Sequence, residues 1–223
     1  MQKWPTNPSC KWTILLRHYV GSVPKVITPH RIYFAGASGV LGRHLLPRLV
    51  AAGHTVGAMT RSPEKADVLA RAGAQPIVCD VFDRPALTAA VRAFSPDVLL
   101  HELTDLPDDL ADLPAASALN ARIRSEGTRN LLDALQGRPR TKVVAQSIAW
   151  TMSPGPEADA VTSLEESVLA ADGVVLRYGL FYGPGTYYEA EPPAAPRIHI
   201  DVAASRTLDA LDSPSGILTL VED

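Results

Sequence analysis

The chain has 223 residues, 46% of them hydrophobic, and a formal net charge of −3, enough to bury a full core as one domain. That charge gives no footing for nucleic acid or an anionic membrane as main partner, and no apolar run approaches the ~18 residues of a membrane span. Two cysteines, Cys10 and Cys79, are too few for a disulfide framework and lack metal-ligand spacing, so a reducing cytoplasm is the expected setting.

Residues 1–29 read as a loosely ordered N-terminal extension, punctuated by Trp4-Pro5, Asn7-Pro8 and Pro24, with no catalytic part. From residue 30 onward strand and helix alternate. Ile32 to Ala35 predicts a buried strand, and Gly36, Gly39 and Gly42 follow it. Val40, Leu41, Leu45, Leu46, Leu49 and Val50 then form an apolar helical face ending at Gly53, with Pro47 an oddity inside it. Strands are expected at His54 to Met59, Pro76 to Cys79, Asp97 to Leu100, Lys142 to Ala149 and Val174 to Leu180. Helices are expected at Pro63 to Ala72, Pro85 to Phe94, Ala115 to Leu135 and Leu164 to Ala171. Strands separated by helices imply right-handed crossovers and a doubly wound parallel α/β sheet, with ligand at the carboxyl ends of the strands. Small substrate-side loops are expected around 150–165 and 183–199.

The glycine stretch carries the strongest functional signal. A strand turning through glycines into a helix gathers unpaired backbone N–H groups at the positive helix end, which suits a pyrophosphate. Gly36 permits the tight turn, Gly39 lets the phosphates approach the backbone, and Gly42 lets helix and strand pack closely. Ser38, Val40 and Leu41 complete the turn. An NAD site usually has an acid at the end of the second strand, but Met59-Thr60-Arg61-Ser62 has none there. Arg61 suits a 2′-phosphate, aided by Arg43, so NADP is preferred to NAD.

Gly36-Ala-Ser-Gly39-Val-Leu-Gly42 resembles the first turn of the extended short-chain dehydrogenase/reductases, the epimerase and dehydratase branch. Later stretches match in order: Cys79-Asp80-Val81, Asn120 with Glu126-Gly-Thr-Arg-Asn-Leu-Leu132, Gln146-Ser147, Arg177-Tyr-Gly-Leu-Phe-Tyr-Gly-Pro-Gly185 and Ile198-His-Ile-Asp201. The resemblance implies a Rossmann fold with a dinucleotide whose adenine meets Asp80 and Val81. It implies an active-site Ser147, and a loop at Tyr178, Gly179 and Leu180 closing over the nicotinamide. The strand end at His101, Glu102 and Leu103 points toward the same groove.

The departures bear on function. The family's proton transfer rests on a Tyr-x-x-x-Lys pair after the active-site Ser, yet residues 148–176 contain neither Tyr nor Lys. The span from Gly185 to His199 is short, and fuller relatives continue past the position of Asp223, so a reduced member is expected. Ser147 is expected to orient a substrate oxygen, and Tyr182, followed by Tyr187 and Tyr188, is the substitute acid. Asp105, Asp108 and Asp109 fit a solvated loop around Pro107, and no metal is assigned. The reading is an NADP-dependent oxidoreductase or epimerase-like protein, monomer or homodimer, acting on a hydroxyl or carbonyl carbon of a small molecule. The alternative is a non-catalytic NADP-binding sensor.

Overall fold

The computed structural model describes residues 28–107, 109–137 and 140–222. Nearly all of the expected N-terminal extension, Cys10 and Asp108 lie outside them. One seven-stranded sheet forms the centre, in the order β3-β2-β1-β4-β5-β6-β9, every neighbouring pair parallel. Its strands are β1 Arg31–Ala35, β2 Thr55–Thr60, β3 Gln75–Val78, β4 Val98–His101, β5 Lys142–Ile148, β6 Val174–Tyr178 and β9 Gly216–Leu220. The chain reverses its direction of travel across the sheet between β1 and β4, which are adjacent. In doubly wound sheets the ligand binds at such a switch point.

Both faces of the sheet are covered, so the inner strands are apolar throughout. Ile32 and Phe34 of β1 point to the layer holding α1 (Val40–Ala51) and α7 (Ile200–Ala210). Tyr33 and Ala35 point to the layer holding α3 (Arg84–Phe94), α5 (Thr128–Ala134) and α6 (Pro156–Ala170). All four are 0% exposed, and period-two alternation into two dry layers is what a parallel sheet requires. The short α2 (Ala66–Arg71) follows a 3₁₀ turn at Pro63–Lys65.

Four expectations need correction. The helix expected from Leu164 starts at Pro156, whose fixed φ suits the first helical position after Gly155, so much of the expected 150–165 loop is helical. The strand expected to reach Leu180 stops at Tyr178, because at Gly179 the chain crosses the Arg197 backbone so closely that a Cβ would lie 2.6 Å from its nitrogen. β7 (Leu180–Tyr182) instead pairs in parallel with β8 (Arg197–His199), a separate ribbon. The long helix is interrupted: α4 (Leu113–Arg122) passes through a π-helical turn at Ile123–Gly127 before α5. Pro47, by contrast, leaves α1 unbroken.

Candidate cofactor and active site

The glycine turn has the geometry that a pyrophosphate needs. Gly36 sits at φ +100°, and a Cβ there would lie 2.4 Å from the Glu102 carbonyl oxygen, so the turn is pressed against the end of β4. Gly39 N–H closes the turn on Gly36 O at 3.0 Å. Gly39 caps α1 without any side-chain bond, and no acid stands in the first turn, which leaves the helix N–H groups and positive end available to an anion. The space above Gly39 is open: only Gly36 O, at 3.3 Å, lies within 4 Å of an added Cβ. At Gly42 a Cβ would come within 2.3 Å of Ala37 O, the close helix–strand contact expected there. Ser38 and Val40 are half-buried at the turn, and the Leu41 side chain enters the core. A dinucleotide fits this cradle.

In the turn after β3, Asp80 is exposed and its carboxylate accepts from Phe82 N at 2.8 Å. Val81 is buried against Gly127 of the π turn, and its carbonyl accepts from Asn130 Nδ2 at 3.0 Å. Arg61 reaches across from the end of β2 to pair with Asp105 in the segment after β4. That segment is held on its other side by Tyr187, whose hydroxyl donates to Pro107 O. The loop after β7 in turn crosses α1, where His44 bridges Asp201 Oδ1 at 3.0 Å and Pro184 O at 3.1 Å.

The end of β4 turns its side chains inward on both faces. Leu103 N donates to His101 Nδ1, leaving Nε2–H to donate to Thr128 Oγ1 at 2.9 Å. Burial, reinforced by the Arg124 charge, pushes the His101 pKa down to about 4, so this residue is a neutral structural link rather than an acid. Glu102 lies on the opposite face, 5% exposed, and burial pushes its carboxyl well above the usual carboxylate range. The Tyr178 hydroxyl lies between Glu102 Oε1 at 3.2 Å and Thr207 Oγ1 at 2.7 Å. Both the Glu102 and Tyr178 side chains therefore belong to the core, and the Glu102 carbonyl faces the glycine turn. Leu103, Gln146 and Leu180 are half-buried beside them, and Gly179 is buried.

Ser147 is 5% exposed and donates to Glu165 Oε1 at 2.5 Å. Arg177 clamps the same carboxylate, Nε to Oε1 at 2.9 Å and Nη2 to Oε2 at 2.5 Å. Burial opposes the Glu165 charge, but the bonds from Arg177 and Ser147 outweigh it and hold its pKa below the ordinary value. A cleft of 350 Å³ opens above this knot, lined by Trp150, Met152, Val161 and Thr162 among others. Tyr182 donates to Glu222 Oε2 at 3.2 Å, and burial and that carboxylate raise its pKa. The sequence reading assigned no role to Glu165 or Glu222. For Glu165 the signal was present: an acid in line with Val161 and Val168 on one helix face, and an arginine inside the apolar run of β6. Among the described residues no group of three or more His, Cys, Asp or Glu is placed to hold a metal, and no helix is long and apolar enough to cross a membrane.

An uncapped glycine turn at the switch point of a seven-stranded parallel sheet defines a Rossmann fold with a dinucleotide-binding turn. The chain belongs to the NAD(P)H-binding family, whose sequence profile it matches over residues 36–172. It is 34% identical over 235 residues to a 3-diazoavenalumate denitrifying reductase of a Streptomyces species, covering 86% of this chain and 76% of that protein. In fold it is similar to UDP-glucose 4-epimerase of Thermus thermophilus solved with NAD, at TM-score 0.69 and 19% identity, covering 85% and 77% of the two chains. A short-chain dehydrogenase/reductase family oxidoreductase from Burkholderia thailandensis superposes with TM-score 0.69 at 18% identity, covering 87% and 92%.

Proposed function

We propose that this protein is an NADPH-preferring reductase that delivers hydride to an electrophile requiring no proton from the protein. One observation carries the reading: the titratable and hydroxyl side chains at the strand ends are already engaged with partners of their own. The Ser147 hydroxyl donates to Glu165, the Tyr182 hydroxyl donates to Glu222, and His101 is a buried neutral link. Carbonyl reduction needs a hydride and a proton, and a site without a poised acid performs it slowly. A diazonium group balances differently: one hydride replaces dinitrogen on carbon, neutral N₂ leaves, and no proton is consumed.

The Streptomyces relative, by its name, reduces a diazo compound with loss of nitrogen, which agrees with that balance. Bound NAD(P)H supplies the hydride. The glycine turn holds its phosphates, Asp80 and Val81 flank the adenine, and Arg61, released from Asp105, takes the 2′-phosphate. The substrate is a small molecule and the expected setting is the cytoplasm, as monomer or homodimer.

The test is turnover with deuterated NADPH and benzenediazonium, against a panel of ketones, with the Gly39→Val variant as control for direct reaction in solution. Deuterium in the benzene product, and rates unchanged in Tyr182→Phe, are expected. Ketone turnover that collapses in Tyr182→Phe overturns this reading in favour of a carbonyl reductase with Tyr182 as acid. NADPH binding without turnover of either class overturns it in favour of a sensor.

A further inference from the structure

The arginines around the crevice are paired in a consistent way. Arg61 meets Asp105, Arg84 meets Asp133, Arg122 clamps Glu126, and Arg177 clamps Glu165. Arg124, like Arg43 at the glycine turn, makes no hydrogen bond or ion pair among the described residues, and Arg124 is only half-exposed. Burial lowers its pKa, with Glu157 acting in the opposite sense. Five N–H donors in a fixed fork, partly stripped of water, favour an anionic partner.

Its position follows from the fold. The α4–α5 helix descends from the carboxyl ends of the strands, and the Thr128 bond to His101 fixes it level with the last residue of β4. Arg124 lies one turn earlier, in the π turn, and so about 5 Å further toward the carboxyl-end side of the sheet. π turns of this kind recur at functional sites. Across the crevice α6 descends in the same sense, with Glu165 at the level of Ser147 and Glu157 two turns above it. The Arg124 charge helps hold the His101 pKa down, and the Glu157 charge raises that of Arg124.

We infer that Arg124 anchors a carboxylate of the substrate, making this protein selective for anionic small molecules. The inference rests on the reductase reading above, but it is tested by binding alone, so turnover and recognition fail separately. Protein loaded with NADP⁺ is titrated calorimetrically with acetate, benzoate and trans-cinnamate and with their uncharged amides. At least one carboxylate is expected to bind on the order of tenfold tighter than its amide, as a charge-assisted bidentate contact allows. Arg124→Gln should abolish that preference, Arg124→Lys should retain part of it, and both should bind NADPH as the wild type does. The inference is overturned if no carboxylate is preferred, or if Arg124→Gln keeps the preference. It is also overturned if both variants lose NADPH affinity, which assigns the guanidinium to the cofactor.

Discussion

Removing the Glu165 carboxylate tests whether the knot at the end of β5 stabilises the fold. In Glu165→Ala, Ser147 loses the acceptor 2.5 Å away and Arg177 loses both bonds of its clamp. The neutral donor contributes about 1 kcal/mol. A fully buried pair broken on one side costs about 3–5 kcal/mol, but the Arg177 side chain is 40% exposed, so solvent screening reduces its share to about 1–2 kcal/mol. The sum is about 2–3 kcal/mol, which for a domain of this size lowers Tm by roughly 4–12 °C. Urea unfolding at neutral pH measures it directly, and a Glu165/Arg177 double-mutant cycle isolates the pair. Because the folded pKa of Glu165 is depressed, its contribution is complete above the unfolded value of about 4.3 and is lost as pH falls through the folded pKa. The wild-type advantage over Glu165→Ala should therefore shrink in acid. A neutral-pH difference below about 0.5 kcal/mol, typical of an inconsequential surface change, would refute the reasoning.

Three further outcomes are expected. Gly39→Val fills the open space above the turn and should abolish dinucleotide binding by calorimetry while the circular dichroism spectrum stays native. Arg61→Ala should weaken NADPH by about 1.5–3 kcal/mol more than NADH, since the 2′-phosphate alone loses a charge-assisted contact; equal losses would remove Arg61 from that role. Gly42→Ala drives a methyl to 2.3 Å from Ala37 O and should cost about 1–3 kcal/mol or more in urea unfolding, because backbone on both sides resists the shift.

The first half of the fold was legible because its signals are local. Continuous apolar strands, glycine stops and a glycine turn with a strand before and a helix after it each fall within a dozen residues. The C-terminal third was read poorly for a physical reason. The buried face of α7 is built on Ala203, Ala204, Thr207 and Ala210, small residues that pack closely on α1 yet give weak periodicity. β9 is an edge strand whose exposure alternates, and α6 was hidden by Pro154-Gly-Pro156, which reads as loop until Pro156 is taken as a helix start. The site divided in the same way. Glycine positions follow from backbone geometry, but the partners of Ser147, Arg61 and Tyr182 lie 18, 44 and 40 residues away, and pairings at that range are set only when the sheet assembles. Glu102 and Tyr178 were read by their place on strands, which fixes the end of the crevice but not which way a side chain turns.

The π turn at Ile123–Gly127 also makes the chain's length at that point a mechanical variable. A π turn is an α-helix carrying one surplus residue. Deleting a single residue there restores ordinary winding without breaking the helix and leaves the azimuth of α4 relative to α5 nearly unchanged, because the wider π winding absorbs the surplus residue. Asn130 and Thr128 would keep their anchors on Val81 and His101, and the rest of α4 would keep its face, so the change is confined to the residues of the turn itself, Arg124 among them. The turn is thus the point where this helix can gain or lose one residue while the segments on either side, and the glycine turn across the sheet, stay in place.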